Sequence, residues 1–289
     1  MNNNMKRTIF ISLLLTLVAC SAEEQQEQAF TPKEMKVGSV EYREWIRPAT
    51  RAVLGDDVIV YVSAGGAAPT AYEKINGTYQ VASGTPQEWT AASMDVYGFV
   101  RDDGVASVTT PYQIPLTQTT STNCSFLASD KTSQNYDSTS GGSISISMTQ
   151  RLAKLQVTVS DAIVGTTQLA VGNGGLLCRG MFNYDGSNAG SWNTTIDNGA
   201  TINVTGCDAN KVFTVYVLPQ TPATGSRFFA VSNSASHVAY YALPAGFGGF
   251  EAGKVYSCTL IQDMTVASIS IDPDFNNGTE TVETTTGSN

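Results

Sequence analysis

The stretch Ser143-Ile144-Ser145-Ile146-Ser147-Met148-Thr149-Gln150-Arg151-Leu152-Ala153-Lys154-Leu155-Gln156-Val157-Thr158-Val159 decides the fold class. Its apolar residues fall on even numbers at Ile144, Ile146 and Met148, then on odd numbers at Ala153, Leu155, Val157 and Val159. Strand side chains alternate between faces with period two, so this change of phase requires a bulge or a corner between two sheets. A helix through Met148, Leu152 and Leu155 is the competing pattern. The β-branched runs Ile-Ser-Ile and Val-Thr-Val on either side favour strands. The stretch therefore reads as a crossing point in an all-β protein.

Working outward, short apolar runs recur between Gly-, Pro- and Thr-rich turns, as in a β-sandwich. Upstream they are Met35 to Ile46, with Val40, Tyr42 and Ile46 on one face, Val58 to Val62, and Met94 to Val100. Pro111 to Gly142 reads as a long polar segment. Downstream the pattern predicts strands at 168–171, 176–183, 201–204, 212–218, 227–231, 237–243, 254–261 and 266–271. Val212 to Leu218 is apolar on both faces, which predicts a central strand. A composition shift near Ser160 to Thr167 divides the chain into 52–165 and 166–263, followed by a Thr/Glu/Gly-rich segment at 264–289.

The N-terminus carries an export pattern over residues 1–19. Lys6 and Arg7 precede an apolar run from Ile9 to Val18 that is too short to span a bilayer. The run ends in Leu17-Val18-Ala19-Cys20, which resembles the lipobox of bacterial lipoproteins, whose cysteine is acylated and becomes the new N-terminus. Ser21-Ala22-Glu23-Glu24 loosely resembles an acidic sorting signal for the outer face of the outer membrane. Residues from Cys20 to Phe30 then read as a polar spacer.

With 289 residues and a net charge of −9, the chain is acidic and has no basic cluster to offset that, which argues against nucleic-acid binding. Cys124, Cys178, Cys207 and Cys258 follow Cys20 without Cys-x-x-Cys spacing, so a zinc or redox motif is unsupported. Two disulfides are open to them, but buried free thiols are favoured. Gly248 to Lys254 matches GxxxxGK, yet Val255 stands where a phosphate loop needs Ser or Thr and a strand follows. Asp272, Asp274, Asn276 and Glu283 have the spacing of an EF-hand-like calcium loop, without the glycine or helices it requires. His237 is the only histidine and has no nucleophile-elbow motif nearby. Asp56-Asp57 and Asp102-Asp103 read as turn residues rather than catalytic dyads. No cofactor is expected, and the chain reads as non-enzymatic.

Four passages together resemble the fimbrillin family, the subunits of type V pili. They are Tyr112-Gln113-Ile114-Pro115 with Gln118 and Ser129-Asp130; Gln150 to Leu155; Val217-Leu218-Pro219-Gln220-Thr221; and Phe250 to Tyr256. The resemblance implies two tandem transthyretin-like β-sandwiches, lipoprotein export through Cys20, and assembly with other pilin subunits. It also implies cleavage by an Arg-specific maturation protease that removes an N-terminal strand, whose place a strand of the next subunit fills. Arg51-Ala52 is the best-placed bond, since Arg47 precedes Pro48 and Arg43 lies within an expected strand. The last strand, with Ala267, Ile269 and Ile271 on one face, is the expected donor. Asp137-Ser138-Thr139 resembles a bacterial O-glycosylation site.

A second reading is a monomeric surface lipoprotein that binds glycan through exposed aromatics such as Trp89 or Trp192.

Overall fold

Gln150 ends one strand and Ala153 begins another, and the two belong to different sheets. The computed structural model describes residues 30–43, 52–53, 58–107, 109–160, 166–223, 227–233, 238–261, 266–271 and 281–282. In Ser143–Gln150 the even positions are buried, and in Ala153–Val159 the odd ones are. The phase change is thus a corner between sheets. Strands dominate the described residues, and the one helical element among them is the 3-10 turn Gly186–Asn188. No helix there is long and apolar enough to cross a membrane.

Ser143–Gln150 lies in a nine-stranded sheet. Its order is Ala52–Val53, Lys36–Arg43, Ser143–Gln150, Phe126–Ala128, Ser93–Arg101, Ile59–Ala64, Thr70–Ile75 and Thr78–Ser83, with Thr132–Asn135 also paired to Ser93–Arg101. Ala153–Val159 sits in a five-stranded sheet between Val212–Val217, antiparallel, and Val255–Leu260, parallel. Val266–Ile271 and Thr281–Val282 extend that sheet outward. A second five-stranded sheet runs Thr117–Thr119, Ala200–Thr205, Thr166–Leu176, Phe229–Asn233 and Val238–Tyr241. Sheet membership therefore crosses the division drawn at 165/166, because Ala153–Val159 and Thr117–Thr119 both pair with later strands.

Two apolar cores result. One lies on one face of the nine-stranded sheet and includes Val40, Val62, Trp89, Val96, Ile144 and Met148. The other runs from Tyr61, Phe99 and Phe126 into Leu155, Val215 and Phe229 of the later sheets. The opposite face of the first sheet is thus continuous with the second core.

Several expectations are corrected. The polar segment 111–142 contains four strands, Tyr112–Gln113, Thr117–Thr119, Phe126–Ala128 and Thr132–Asn135, too short to give a periodic signal. Strands Thr70–Ile75 and Thr78–Ser83 form a hairpin about Asn76-Gly77, whose φ values of 52° and 81° are those of a type I′ turn. The expected strand at 176–183 breaks at Leu177-Cys178. There the Gln220 amide binds Leu177, and the Asp197 carboxylate accepts from the N–H groups of Cys178 and Arg179. Val212–Val217 is an edge strand rather than a central one, since Gln118 and the second sheet cover its outer side.

Candidate assembly seam

Lys36–Arg43 is far in sequence from its main partner. It runs parallel to Ser143–Gln150 through pairs that begin at Lys36↔Ser143 and end at Arg43↔Thr149. The register shifts once, at Gly38, where an added Cβ would meet Ser143 Cβ at 3.1 Å and the Ile144 carbonyl oxygen at 3.3 Å. This bulge lets Val37 and Val40, of opposite parity, both be buried. Val37 is a buried residue that the expected face of Val40, Tyr42 and Ile46 did not include; Ile46 lies outside the described residues.

The segment before the strand is tied down as well. Met35 N–H donates to Gln87 O at 2.8 Å and Lys36 N–H to Gly142 O at 3.3 Å. Trp89 Nε1–H donates to the same Gly142 oxygen at 2.8 Å. Lys33 and Glu34 pair with Trp89 and Glu88. Phe30 meets the Tyr136 ring edge-on at 5.4 Å.

On its outer side Lys36–Arg43 pairs, among the described residues, with Ala52–Val53, at Glu41 and Tyr42. It also lies against Thr78–Ser83 at the far end of the sheet, so the curled sheet almost closes at this strand. Met35, Val37 and Val40 are fully or almost fully buried, and burial of three such side chains stabilises by about 5–8 kcal/mol before ordering costs. Among the described residues, the strand's departure with the segment before it breaks these two ladders and the short one between Lys33–Glu34 and Glu88–Trp89. Its departure uncovers the edge of Ser143–Gln150, and an uncovered edge is a template for strand addition.

At the other end of the chain, Val266–Ile271 pairs antiparallel with Val255–Leu260, with Ile271 opposite Tyr256 and Ile269 opposite Cys258. Thr281–Val282 lies along its outer side. Within one chain, then, the strand containing Ala267, Ile269 and Ile271 is seated in its own sheet, next to the edge formed by Thr281–Val282.

Residues 50–283 match the fimbrillin-like family. The chain belongs to that family. This fimbrillin-like chain is a non-enzymatic subunit of the fimbrial type. Its fold is similar to that of a candidate cell adhesion protein from Bacteroides ovatus, with TM-score 0.59 and 10% identity, over 90% of this chain and 100% of that one. A second, from Bacteroides uniformis, gives TM-score 0.53 and 15% identity over 86% and 98%. No curated protein matches the fimbrillin-like chain.

The passages that carried the resemblance are scaffold. Gln150 Oε1 accepts the backbone N–H groups of Phe126 at 3.1 Å, Arg151 at 3.1 Å and Leu152 at 3.2 Å, closing the corner between sheets. Arg151 donates to Ala128 O and to Asp130 Oδ1, at 3.0 and 2.8 Å. Ser129 Oγ accepts from Gly98 N–H at 2.9 Å. Gln220 and Phe250 exchange backbone bonds of 2.9 and 2.8 Å, so the GxxxxGK segment is a loop pinned between sheets and leads into the strand Val255–Leu260. Sequence reasoning missed the buried amides of Gln87, Gln118 and Gln150 as structural groups. The signal was there for Gln150, which continues the buried even phase of Ile144, Ile146 and Met148.

Trp89 is 0% exposed, which overturns it as an exposed sugar platform. Trp192 is half-buried against Tyr112, Phe126 and Phe182, and its Nε1–H donates to Arg151 O at 2.8 Å. Asp102 and Asp103 lie in a turn, where Asp103 pairs with the buried Arg101. Burial raises the Asp102 carboxyl above its ordinary value, with the neighbouring Asp103 charge adding to the rise. Asp137, Ser138 and Thr139 form an exposed turn closed by Thr139 on the Asp137 carboxylate. Cys124, Cys178, Cys207 and Cys258 are free, and all but Cys207 are buried. Cys20, Arg51, Asp56, Asp57, His237, Asp272, Asp274, Asn276 and Glu283 lie outside the described residues.

Proposed function

We propose that the chain is a polymerising type V pilus subunit, exported as an outer-membrane lipoprotein acylated at Cys20 and serving adhesion. An Arg-specific protease cuts between Arg51 and Ala52 and releases the segment that contains Lys36–Arg43. The place beside Ser143–Gln150 then accepts a strand of the next subunit, with Ala267, Ile269 and Ile271 of Val266–Ile271 as donor residues. Two sandwiches that meet at the corner after Gln150, followed by the donor segment 264–289, carry the two ends of this exchange.

The observation that carries the reading is the seam. Lys36–Arg43 is held parallel to one strand along its length and to two residues on the other side. The family match begins at residue 50, beyond this strand. Strand addition would restore both the lost ladder and the buried apolar contacts.

The test treats the chain lacking residues 1–20 with trypsin and follows its N-terminus and its size. A new N-terminus at Ala52 together with concentration-dependent oligomers is expected, and an Arg51→Ala variant stays monomeric. Deleting residues 264–289 abolishes the oligomers. Cleaved protein that remains monomeric with or without those residues contradicts the proposal.

A further inference from the structure

A cleft of about 630 Å³ opens on the nine-stranded sheet, away from the seam strand. Its floor is the outward face of Ser93–Arg101, where Ser93, Asp95 and Tyr97 follow one another at period two. Its walls come from distant parts of the chain. Lys131 and Ser133 lie beside the neighbouring strand, Gly65 and Gly66 form a turn after Ile59–Ala64, and Asp185 belongs to the later half. Gly66 adopts φ +81°, and a Cβ there would meet nothing within 4 Å, so this rim carries no side chain into the opening.

The groups in the cleft are held in place. Lys131 Nζ sits 3.1 Å from the Asp185 carboxylate and 3.5 Å from that of Asp95. The hydroxyls of Ser93 and Ser133 share a hydrogen bond of 2.9 Å. The Tyr97 ring stacks on Tyr184 with centroids 4.4 Å apart. Both carboxylates stay open to solvent, at 51% for Asp95 and 65% for Asp185.

Two carboxylates against one ammonium leave the cleft with net negative charge, which disfavours anionic ligands. Carboxylates accept hydroxyl protons, Lys131 donates, and the serines do both. An aromatic ring supplies a surface for an apolar C–H face. A ligand that presents many hydroxyls around one apolar face and no negative charge is a neutral or amino sugar, and the volume is that of a small-ligand pocket. We propose that this cleft is the carbohydrate-binding site of the subunit, with Asp95, Lys131 and Asp185 holding sugar hydroxyls beside Tyr97. This deepens the adhesion part of the reading above and rests on it, but not on strand exchange.

The test is titration of the chain lacking residues 1–20 with galactose-terminated and N-acetylglucosamine-terminated oligosaccharides, each with a sialylated counterpart. The expected result is binding of at least one neutral probe, roughly tenfold or more weakened by sialylation and by either Tyr97→Ala or Asp95→Asn. Asp95 is half exposed, so Asp95→Asn keeps the fold, whereas Tyr97→Ala removes one ring of the stack on Tyr184, and circular dichroism separates loss of fold from loss of binding. No binding of any of these probes overturns the proposal, as does equal binding of the sialylated forms or undiminished binding by Asp95→Asn. Oligomer formation after trypsin is scored separately, so an empty cleft leaves the pilus reading standing.

Discussion

The side chain of Gln118 and the backbone of Tyr216 bind each other twice. Gln118 Oε1 accepts the Tyr216 N–H at 2.9 Å, and its Nε2–H donates to the Tyr216 carbonyl at 3.1 Å. A third bond, to Pro115 O at 3.2 Å, holds the amide in place. The glutamine thus supplies one unit of a strand ladder along the outer side of Val212–Val217, whose other side pairs with Ala153–Val159. An edge that would otherwise offer its backbone to other chains is closed by a side chain.

Gln118→Leu keeps the volume and withdraws both partners from the Tyr216 backbone. The expected cost is roughly 2–4 kcal/mol, because buried polar groups lose bonds that nothing replaces. Thermal unfolding should shift down by about 5–10 °C, and light scattering should show aggregation at lower temperature than in the parent. An unchanged melting temperature contradicts this account of the edge.

Gln150 at the sheet corner separates shape from hydrogen bonding. Gln150→Leu removes the acceptor shared by Phe126, Arg151 and Leu152 and should destabilise by about 2–3 kcal/mol in urea unfolding. Gln150→Glu keeps an acceptor aimed at the same three N–H groups and should lose less than Leu does. If both variants lose the same amount, the acceptor role assigned to Oε1 is wrong.

Val40, at 0% exposure, anchors the seam strand in the first core. A charge there has no partner, so Val40→Asp should expel the strand at a cost of at least about 3 kcal/mol. Trp89 pairs with Lys33 and shares Gly142 O with Lys36, so its environment reports on the same event. Loss of the strand should redden tryptophan emission and speed trypsin cleavage at Arg43. Unaltered emission and cleavage would show that the strand stays seated despite the charge.

The thiols set an alkaline limit. Burial, reinforced by the Asp102 charge, pushes the Cys124 thiol up to about 12, and burial with the Asp197 charge does the same for Cys178. Burial raises the Cys258 thiol and the Tyr112 and Tyr184 hydroxyls in the same direction. The unfolded chain releases thiol protons from the ordinary value of 9.0, whereas the folded chain keeps them to about 12. Above pH 9 the unfolded state therefore binds fewer protons, and stability falls as pH rises through that window. Urea midpoints should drop between about pH 9 and pH 12, while a thiol reagent at pH 8 labels Cys207 well before the other three.

Much of the fold is legible in local pattern, and its exceptions have identifiable causes. The corner at Arg151 follows from parity alone, since a change of phase moves every later apolar side chain to the other face. The strands inside 111–142 are two to four residues long, below what alternation can reveal. Val37 escaped because one bulged glycine breaks parity in the middle of a strand. Val212–Val217 looked central because its composition records burial, and burial there comes from a packed sheet and a glutamine rather than from two flanking strands.

The sequence by itself determined that the chain is all β, that it changes sheets after Gln150, and that four passages resemble fimbrillins. Tertiary structure alone decided that Lys36–Arg43 lies beside Ser143–Gln150, that Gln118 closes the edge at Tyr216, and that Asp95, Lys131 and Asp185 meet in one cleft. Alternation is a property of neighbouring residues and can be read along the chain. Strand pairing and side-chain convergence join residues tens to a hundred positions apart, and the packing of the whole molecule selects among the many pairings that the same alternation permits.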